Sequence, residues 1–304
     1  MRILVSGATG FIGRALLTHL AALGHEPMAL KRGGPDGAPA DLAGIDAWTG
    51  WPAGIEAVVH LGALNPARSD PASRDDAALM AANANGTKAL ARRASAEGVR
   101  RFVFASTNLV HAAAETPIDE NAPLRPQNAY AASKLAGETG LAQALAGTAT
   151  RATILRLPPV YGPGGRGGVA ALLKLARSPL PLPFAGHAAR RSFLSLRNGV
   201  DALTVAATSP EAEGTFLVSD GAPWSVGDIV AFARRVEGRP ARLVAPPTGL
   251  LRLAARASGQ QATFDRLYGS FVMDDRRFRT ATGWTPPQSV EAGLRETMEG
   301  LKDA

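Results

Sequence analysis

A chain of 304 residues with 46% hydrophobic and 19% charged side chains has globular composition and length for one large domain or two modest ones. The absence of cysteine excludes a disulfide framework, thiolate metal sites and a cysteine nucleophile. The formal charge of +7 comes from scattered arginines, with no helix-turn-helix, zinc-finger or aromatic RNA-binding signature, so no nucleic-acid partner is expected. No stretch of about 18 apolar residues occurs, so no membrane insertion is expected. No apolar leader precedes the first strand, which makes the cytoplasm the expected location.

In chain order, residues 3–6 read as a strand and 12–23 as a helix closed by Gly24. Residues 27–30 and 57–61 read as strands, 77–98 as one long helix, 102–105 as a strand, 130–145 as a helix and 153–157 as a strand. Such alternation predicts a parallel sheet with helices on both faces. The runs Val58-Val59 and Phe102-Val103-Phe104 have the continuous apolar character of strands buried on both sides. The Pro- and Gly-rich stretch 157–168 reads as a loop and domain boundary, and 179–183 as a second break. Helices follow at 226–237 and 249–257. After the Gly283-Trp284 turn, a closing helix over 290–301 is spaced by Val290, Leu294 and Met298.

Gly7-Ala8-Thr9-Gly10-Phe11-Ile12-Gly13 joins the first strand to the first helix. Gly7 permits the tight turn, Gly10 lets the backbone approach a pyrophosphate, and Gly13 lets helix and strand pack closely. The N–H groups and dipole of the helix start favour phosphate charge. The fold class expected is therefore α/β: a Rossmann-type, doubly wound parallel sheet over 1–160, with a smaller substrate-binding domain over 161–304. Part of 190–205 is expected to return to the sheet. The end of the second strand faces the adenosine ribose, where an acid binds the 2′-hydroxyl and an arginine accommodates a 2′-phosphate. Lys31-Arg32, with no acid before Asp36, favours NADP over NAD. The alternative is that Arg32 is a solvated loop charge or stacks on adenine.

Tyr130-Ala131-Ala132-Ser133-Lys134 places a phenol and an ammonium on one helix face, one turn apart. A phenol with a pKa near 10 is a poor base at neutral pH; a neighbouring ammonium favours the phenolate, and Tyr130 then takes or gives a proton. Upstream, the buried strand Phe102-Val103-Phe104 runs into Ala105-Ser106-Thr107, at the end where parallel sheets hold ligands. The plainer reading of Ser106 and Thr107 is that they cap a turn.

The glycine spacing, its T-G-F-I-G variant and the Tyr130–Lys134 pair resemble the extended short-chain dehydrogenase/reductase family of NAD(P)-dependent nucleotide-sugar epimerases and dehydratases. The resemblance implies a Thr107, Tyr130, Lys134 triad, with Thr107 polarising the reacting oxygen and Lys134 also bonding the nicotinamide ribose. It implies cofactor contacts from Gly7, Gly10, Phe11, Ile12, Gly13, Arg32, Leu61, Gly62, Ala63, Asn83, Ser106, Tyr130, Lys134, Pro158 and Val160. Arg191, with Arg266, would neutralise the diphosphate of a nucleotide-diphosphate sugar; no metal is implied. A homodimer is expected by resemblance alone. His60, in the His60-Leu61-Gly62-Ala63 element, reads as a core histidine. Where the family's dehydratases carry Asp-Glu, this chain has Asn108-Leu109, which argues against water elimination. His111 stands where many epimerases have an aromatic, and it reads as a surface loop residue. The expected activity is epimerisation at sugar C4, the alternative being NADPH-dependent reduction of a 4-keto sugar. A remote alternative is a non-catalytic NAD(P)-sensing regulator.

Overall fold

A computed structural model of the chain describes residues 1–302 except 32, 34–36, 67–70, 115 and 187–188. The first half supplies β1 (Arg2–Ser6), α1 (Phe11–Ala22), β2 (Glu26–Leu30), β3 (Ala57–His60), α2 (Asp76–Met80), α3 (Gly86–Ala96), β4 (Arg101–Thr107), α4 (Ala129–Leu145) and β5 (Arg151–Leu157). Then come β6 (Val160–Tyr161), α5 (Gly168–Ala176), β7 (Leu194–Ser195), α6 (Leu196–Thr208) and β8 (Gly214–Leu217). Helices α7 (Val226–Val236), α8 (Thr248–Ala257), α9 (Gln261–Tyr268), α10 (Arg276–Thr282) and α11 (Val290–Gly300) complete it.

The main sheet runs β2-β1-β3-β4-β5-β8, with every pairing parallel. Ile3, Leu4, Val5, Val58, Val59, Phe102, Val103 and Phe104 are all fully buried, as strands covered on both faces require. One face packs against α1 and α6 through Leu16, Leu20, Leu203 and Ala206. The other packs against α3 and α4 through Leu90, Ala94 and Leu141. Strand order reverses beside β1, and ligands of such sheets sit outside the carboxyl ends of the strands at that point. A separate core of α5, α7 and α11 (Leu173, Ile229, Val230, Leu294) underlies the C-terminal lobe. The sheet takes its last strand, β8, from residues beyond 160, and α6 covers the same face as α1, so this stretch lies with the N-terminal sheet.

Two local expectations differ from what is observed. Residues 77–98 do not form one helix: the chain passes from α2 through a π-helical turn, Ala81–Asn85, into α3. The wider turn turns Asn83 away from the α-helical repeat, and its side chain bonds elsewhere in the fold, as π-bulges do at functional sites. The 157–168 stretch is likewise not loop throughout, because Val160–Tyr161 pairs with Leu194–Ser195 in a second, two-stranded sheet.

Candidate active site

The glycine loop is sterically obligatory. Gly7 has φ +70, and a Cβ there would lie 2.6 Å from the Gly62 nitrogen. A Cβ on Gly13 would lie 2.2 Å from the Gly7 carbonyl oxygen. Gly10 is extended and directly precedes α1, whose first N–H groups have no intrahelical partners. Beside this loop a cavity of about 260 Å³ is lined by Ser6, Gly7, Leu30, Asp41, Gly62 and Ala63. The cradle that a side chain would fill, the helix start and the adjacent cavity together fit a dinucleotide. Asp41, which the sequence reading did not single out, brings a carboxylate to that cavity and caps the following turn by accepting from the Ala43 N–H at 2.9 Å. The Asp-Leu pair just before a helical turn was its only sequence signal. Lys31 is exposed after β2. Arg32, on which the reading of NADP rests, lies outside the described residues.

The end of β3 is fixed by a polar chain. His60 is fully buried, with Nδ1 2.5 Å from the Ser6 hydroxyl and Nε2 3.0 Å from the Thr87 hydroxyl. Thr87 donates to the Asn83 carbonyl at 2.6 Å, so it accepts from Nε2–H, and His60 is a core histidine bonded at both ring nitrogens. The Ser6 hydroxyl oxygen also accepts the Gly62 N–H at 3.2 Å. Asn83 clamps the next segment, donating to the Leu64 carbonyl and the Ser133 hydroxyl at 2.9 Å and accepting the Leu64 N–H at 2.7 Å. Leu61, Gly62 and Ala63 are thus held beside Gly7.

Asn128 caps α4 by accepting the Ala131 N–H at 2.8 Å, so Tyr130 sits in the first turn. Tyr130 is half-buried, whereas Lys134 is 1% exposed and lies with Nζ 3.9 Å from the centre of the Phe104 ring. Burial pulls the Lys134 ammonium down to about 7 from its ordinary 10.5, and the charge of Glu138 one turn on opposes that fall. The adjoining end of β4 contributes Ser106, which donates to Glu138 at 2.5 Å, and Thr107, which accepts the Leu109 N–H at 3.3 Å. Thr107 therefore does cap the next turn, and its O–H remains a donor. β4 and α4 pack directly on one another, with Ser106 and Glu138 linking them.

Behind this centre lies a buried ionic chain. Arg156 on β5 donates from Nε and Nη2 to Glu138 at 3.1 and 2.6 Å, a two-pronged pair with 5% and 7% exposure. Arg156 Nη1 lies 2.9 Å from His111 Nε2, while His111 Nδ1 donates to the Ala122 carbonyl at 3.0 Å. His111 is accordingly not a surface loop residue: it is fully buried. Burial first, and the Arg156 charge second, push its pKa below the usual 6.5, so it stays neutral and accepts from the guanidinium.

Pro158 and Val160 follow the end of β5, and the far end of the Phe11 ring lies close to the Gly162–Gly165 turn, where N- and C-terminal halves meet. Arg191 donates to the Gly269 carbonyl at 2.9 Å, and its pKa is lowered by burial and then by the nearby Arg266 charge. The fold therefore brings these two arginines, 75 residues apart in sequence, close enough to repel. Among the described residues, no group of three or more His, Cys, Asp or Glu could hold a metal ion, and no helix is long and apolar enough to cross a membrane.

The chain is 28% identical to a UDP-glucose 4-epimerase of Vibrio cholerae over 99% of its length and 96% of the relative's. It is 35% identical to a 3-diazoavenalumate denitrifying reductase of a Streptomyces species, over 94% of this chain and 96% of the other. Its fold matches a structure described as RMD from Pseudomonas aeruginosa complexed with NADPH, with a TM-score of 0.78, 24% identity and coverage of 100% and 99%. It matches MoeE5 in complex with UDP-glucose and NAD at a TM-score of 0.76, 23% identity and the same coverage. The family model described as the NAD dependent epimerase/dehydratase family matches residues 3–219. That match takes in the glycine loop, the whole sheet and the helix bearing Tyr130 and Lys134, and by it the chain belongs to the NAD-dependent epimerase/dehydratase family, as an enzyme that works with NAD or NADP.

Proposed function

We propose that the protein is a nucleotide-sugar epimerase acting at C4 of the sugar through Thr107, Tyr130 and Lys134. The observation that carries the reading is Lys134: a wholly buried ammonium, its pKa pulled to about 7, one turn from Tyr130 at the mouth of β4. A buried, perturbed lysine is costly without a use, and activating a phenol is such a use. Thr107 donates its O–H to the reacting oxygen and orients it. Tyr130 removes the hydroxyl proton as the C4–H bond breaks, and returns it when the 4-keto group is reduced from its other face. Lys134 stabilises the phenolate and bonds the nicotinamide ribose. The bound cofactor supplies the hydride acceptor and donor. Arg191 and Arg266, whose mutual repulsion is relieved by an anion between them, neutralise the diphosphate. With Asn108-Leu109 after Thr107, no acid pair is placed there to eliminate water. We further propose that NADP is favoured over NAD through Arg32, that the enzyme works in the cytoplasm, and that it forms a homodimer.

A second reading, NADPH-dependent reduction of a 4-keto sugar, uses the same three side chains. The 35% identity to a protein named as a reductase and the basic Lys31-Arg32 pair favour it. Mass spectrometry of nucleotide released on denaturation separates the two. Cofactor held tightly through purification supports the epimerase; exchangeable NADPH supports the reductase. Tyr130→Phe is expected to abolish turnover while leaving cofactor affinity, measured by titration, within about threefold. Retained activity contradicts the proton-transfer role.

A further inference from the structure

Helix α8 presents its apolar face to solvent. Every residue of α8 is described and none is buried. Leu251 and Ala255 are half-buried and mark the inward side. Helical spacing sets Leu250, Leu253 and Ala257 away from that side, and the two leucines are 64% and 65% exposed. Most helices at a protein surface do the reverse. Arg252 and Arg256, both exposed, flank this face, with the Arg252 guanidinium 5.6 Å from the Phe264 ring of α9.

The surroundings are cationic over a long stretch. Residues 238–264 contain Arg239, Arg242, Arg252 and Arg256 and no acid, and residues 139–200 contain no acid either. The two stretches are joined. The Leu182 N–H bonds the Arg242 carbonyl at 3.0 Å, and the Val244 N–H bonds that of Leu182 at 2.9 Å. The Arg234 guanidinium donates to carbonyls of Ala176, Ser178 and Leu180 on one side and of Ala241 and Arg242 on the other. Leu180 and Val244 are exposed there as well. The acid beside this junction is Glu237, which pairs with Arg177 and Arg239.

We propose that α8 docks the protein on an anionic lipid surface, lying in the plane of the interface with Leu250 and Leu253 among the acyl chains and Arg252 and Arg256 among the headgroups. An outward apolar face with flanking arginines is the arrangement such interfacial helices share. A second copy of the chain is the poorer occupant. A two-fold contact through this face would set its arginines near one another, and the one acid on α8 and α9, Asp265, is already bonded by Gln261 at 2.8 Å. α9 packs on α8 and carries Arg266, so docking turns that end of the molecule toward the bilayer.

The test is sedimentation of the full chain with phosphatidylcholine vesicles with and without phosphatidylglycerol, at low and high salt. Binding is expected only with phosphatidylglycerol, and is expected to weaken at high salt. The double variant Leu250→Ser, Leu253→Ser is expected to lose at least about tenfold in partitioning, with its Tm unchanged because both side chains are exposed. Arg252→Gln with Arg256→Gln is expected to weaken binding and its salt dependence together. Failure of the wild type to bind anionic vesicles at low salt overturns the proposal, as does binding that the leucine double variant leaves intact. A dimer in sedimentation velocity that Leu253→Ser dissolves, without vesicle binding, assigns the face to a second copy and likewise overturns it. None of these outcomes bears on the Tyr130 chemistry.

Discussion

At Lys134, burial and function pull in opposite directions. Removing an ammonium from water costs more than the Phe104 ring face and the Glu138 charge return, which is why its pKa falls to about 7. Lys134→Met keeps the length of the side chain and removes the charge. In the cofactor-free protein at pH 7 it is expected to raise the Tm, while steady-state turnover falls at least about 100-fold. A lowered Tm would contradict the assignment of Lys134 as a buried charge held for function. This pair was legible in the sequence because Tyr130 and Lys134 are neighbours on one helix, so spacing alone juxtaposes them. His111 was not legible. Its partners, the Ala122 carbonyl and Arg156, lie 11 and 45 residues away, and nothing local distinguishes it from a loop residue.

The elements that hold the centre are pinned by contacts of the same distant kind. Glu138 on α4 and Arg156 on β5 join helix to sheet directly behind Lys134. Glu138→Ala leaves a guanidinium buried without its carboxylate, and a loss of about 3–5 kcal/mol is expected in urea unfolding. A loss below about 1 kcal/mol would mean that His111 and the Glu120 carbonyl suffice for Arg156. The alternation of strands and helices through β5 was readable because fully buried parallel strands are continuous apolar runs. The π-helical turn at Ala81–Asn85 was not, since the bonds Asn83 makes from it, to Leu64 and Ser133, are to residues distant in sequence. Strand β8 escaped notice for a simpler reason: it is four residues long and starts on a glycine.

For the molecule as a whole, the buried groups set how stability depends on pH. Lys134 has a folded pKa of about 7 against 10.5, so between those values the unfolded chain binds more protons and stability rises with pH. His111, lowered from 6.5, adds stability that is complete above about 6.5 and is lost as pH falls below it. Asp220, pushed up to about 6 by burial, slopes the other way, and only below about 6. The cofactor-free protein is therefore expected to gain Tm steadily from pH 6 to pH 9, and Lys134→Met to flatten the part above 7. A Tm that falls across this range would contradict the buried-charge account.

The central claim, that Tyr130 and its partners move the hydroxyl proton while hydride leaves and returns at one sugar carbon, is tested most directly with UDP-hexoses deuterated at C4. The account predicts interconversion of the C4 epimers with deuterium kept at C4 and no net cofactor oxidation or reduction, and no interconversion by Tyr130→Phe. If no labelled hexose is epimerised while NADPH is consumed on a 4-keto sugar, epimerisation is contradicted and the enzyme is a reductase.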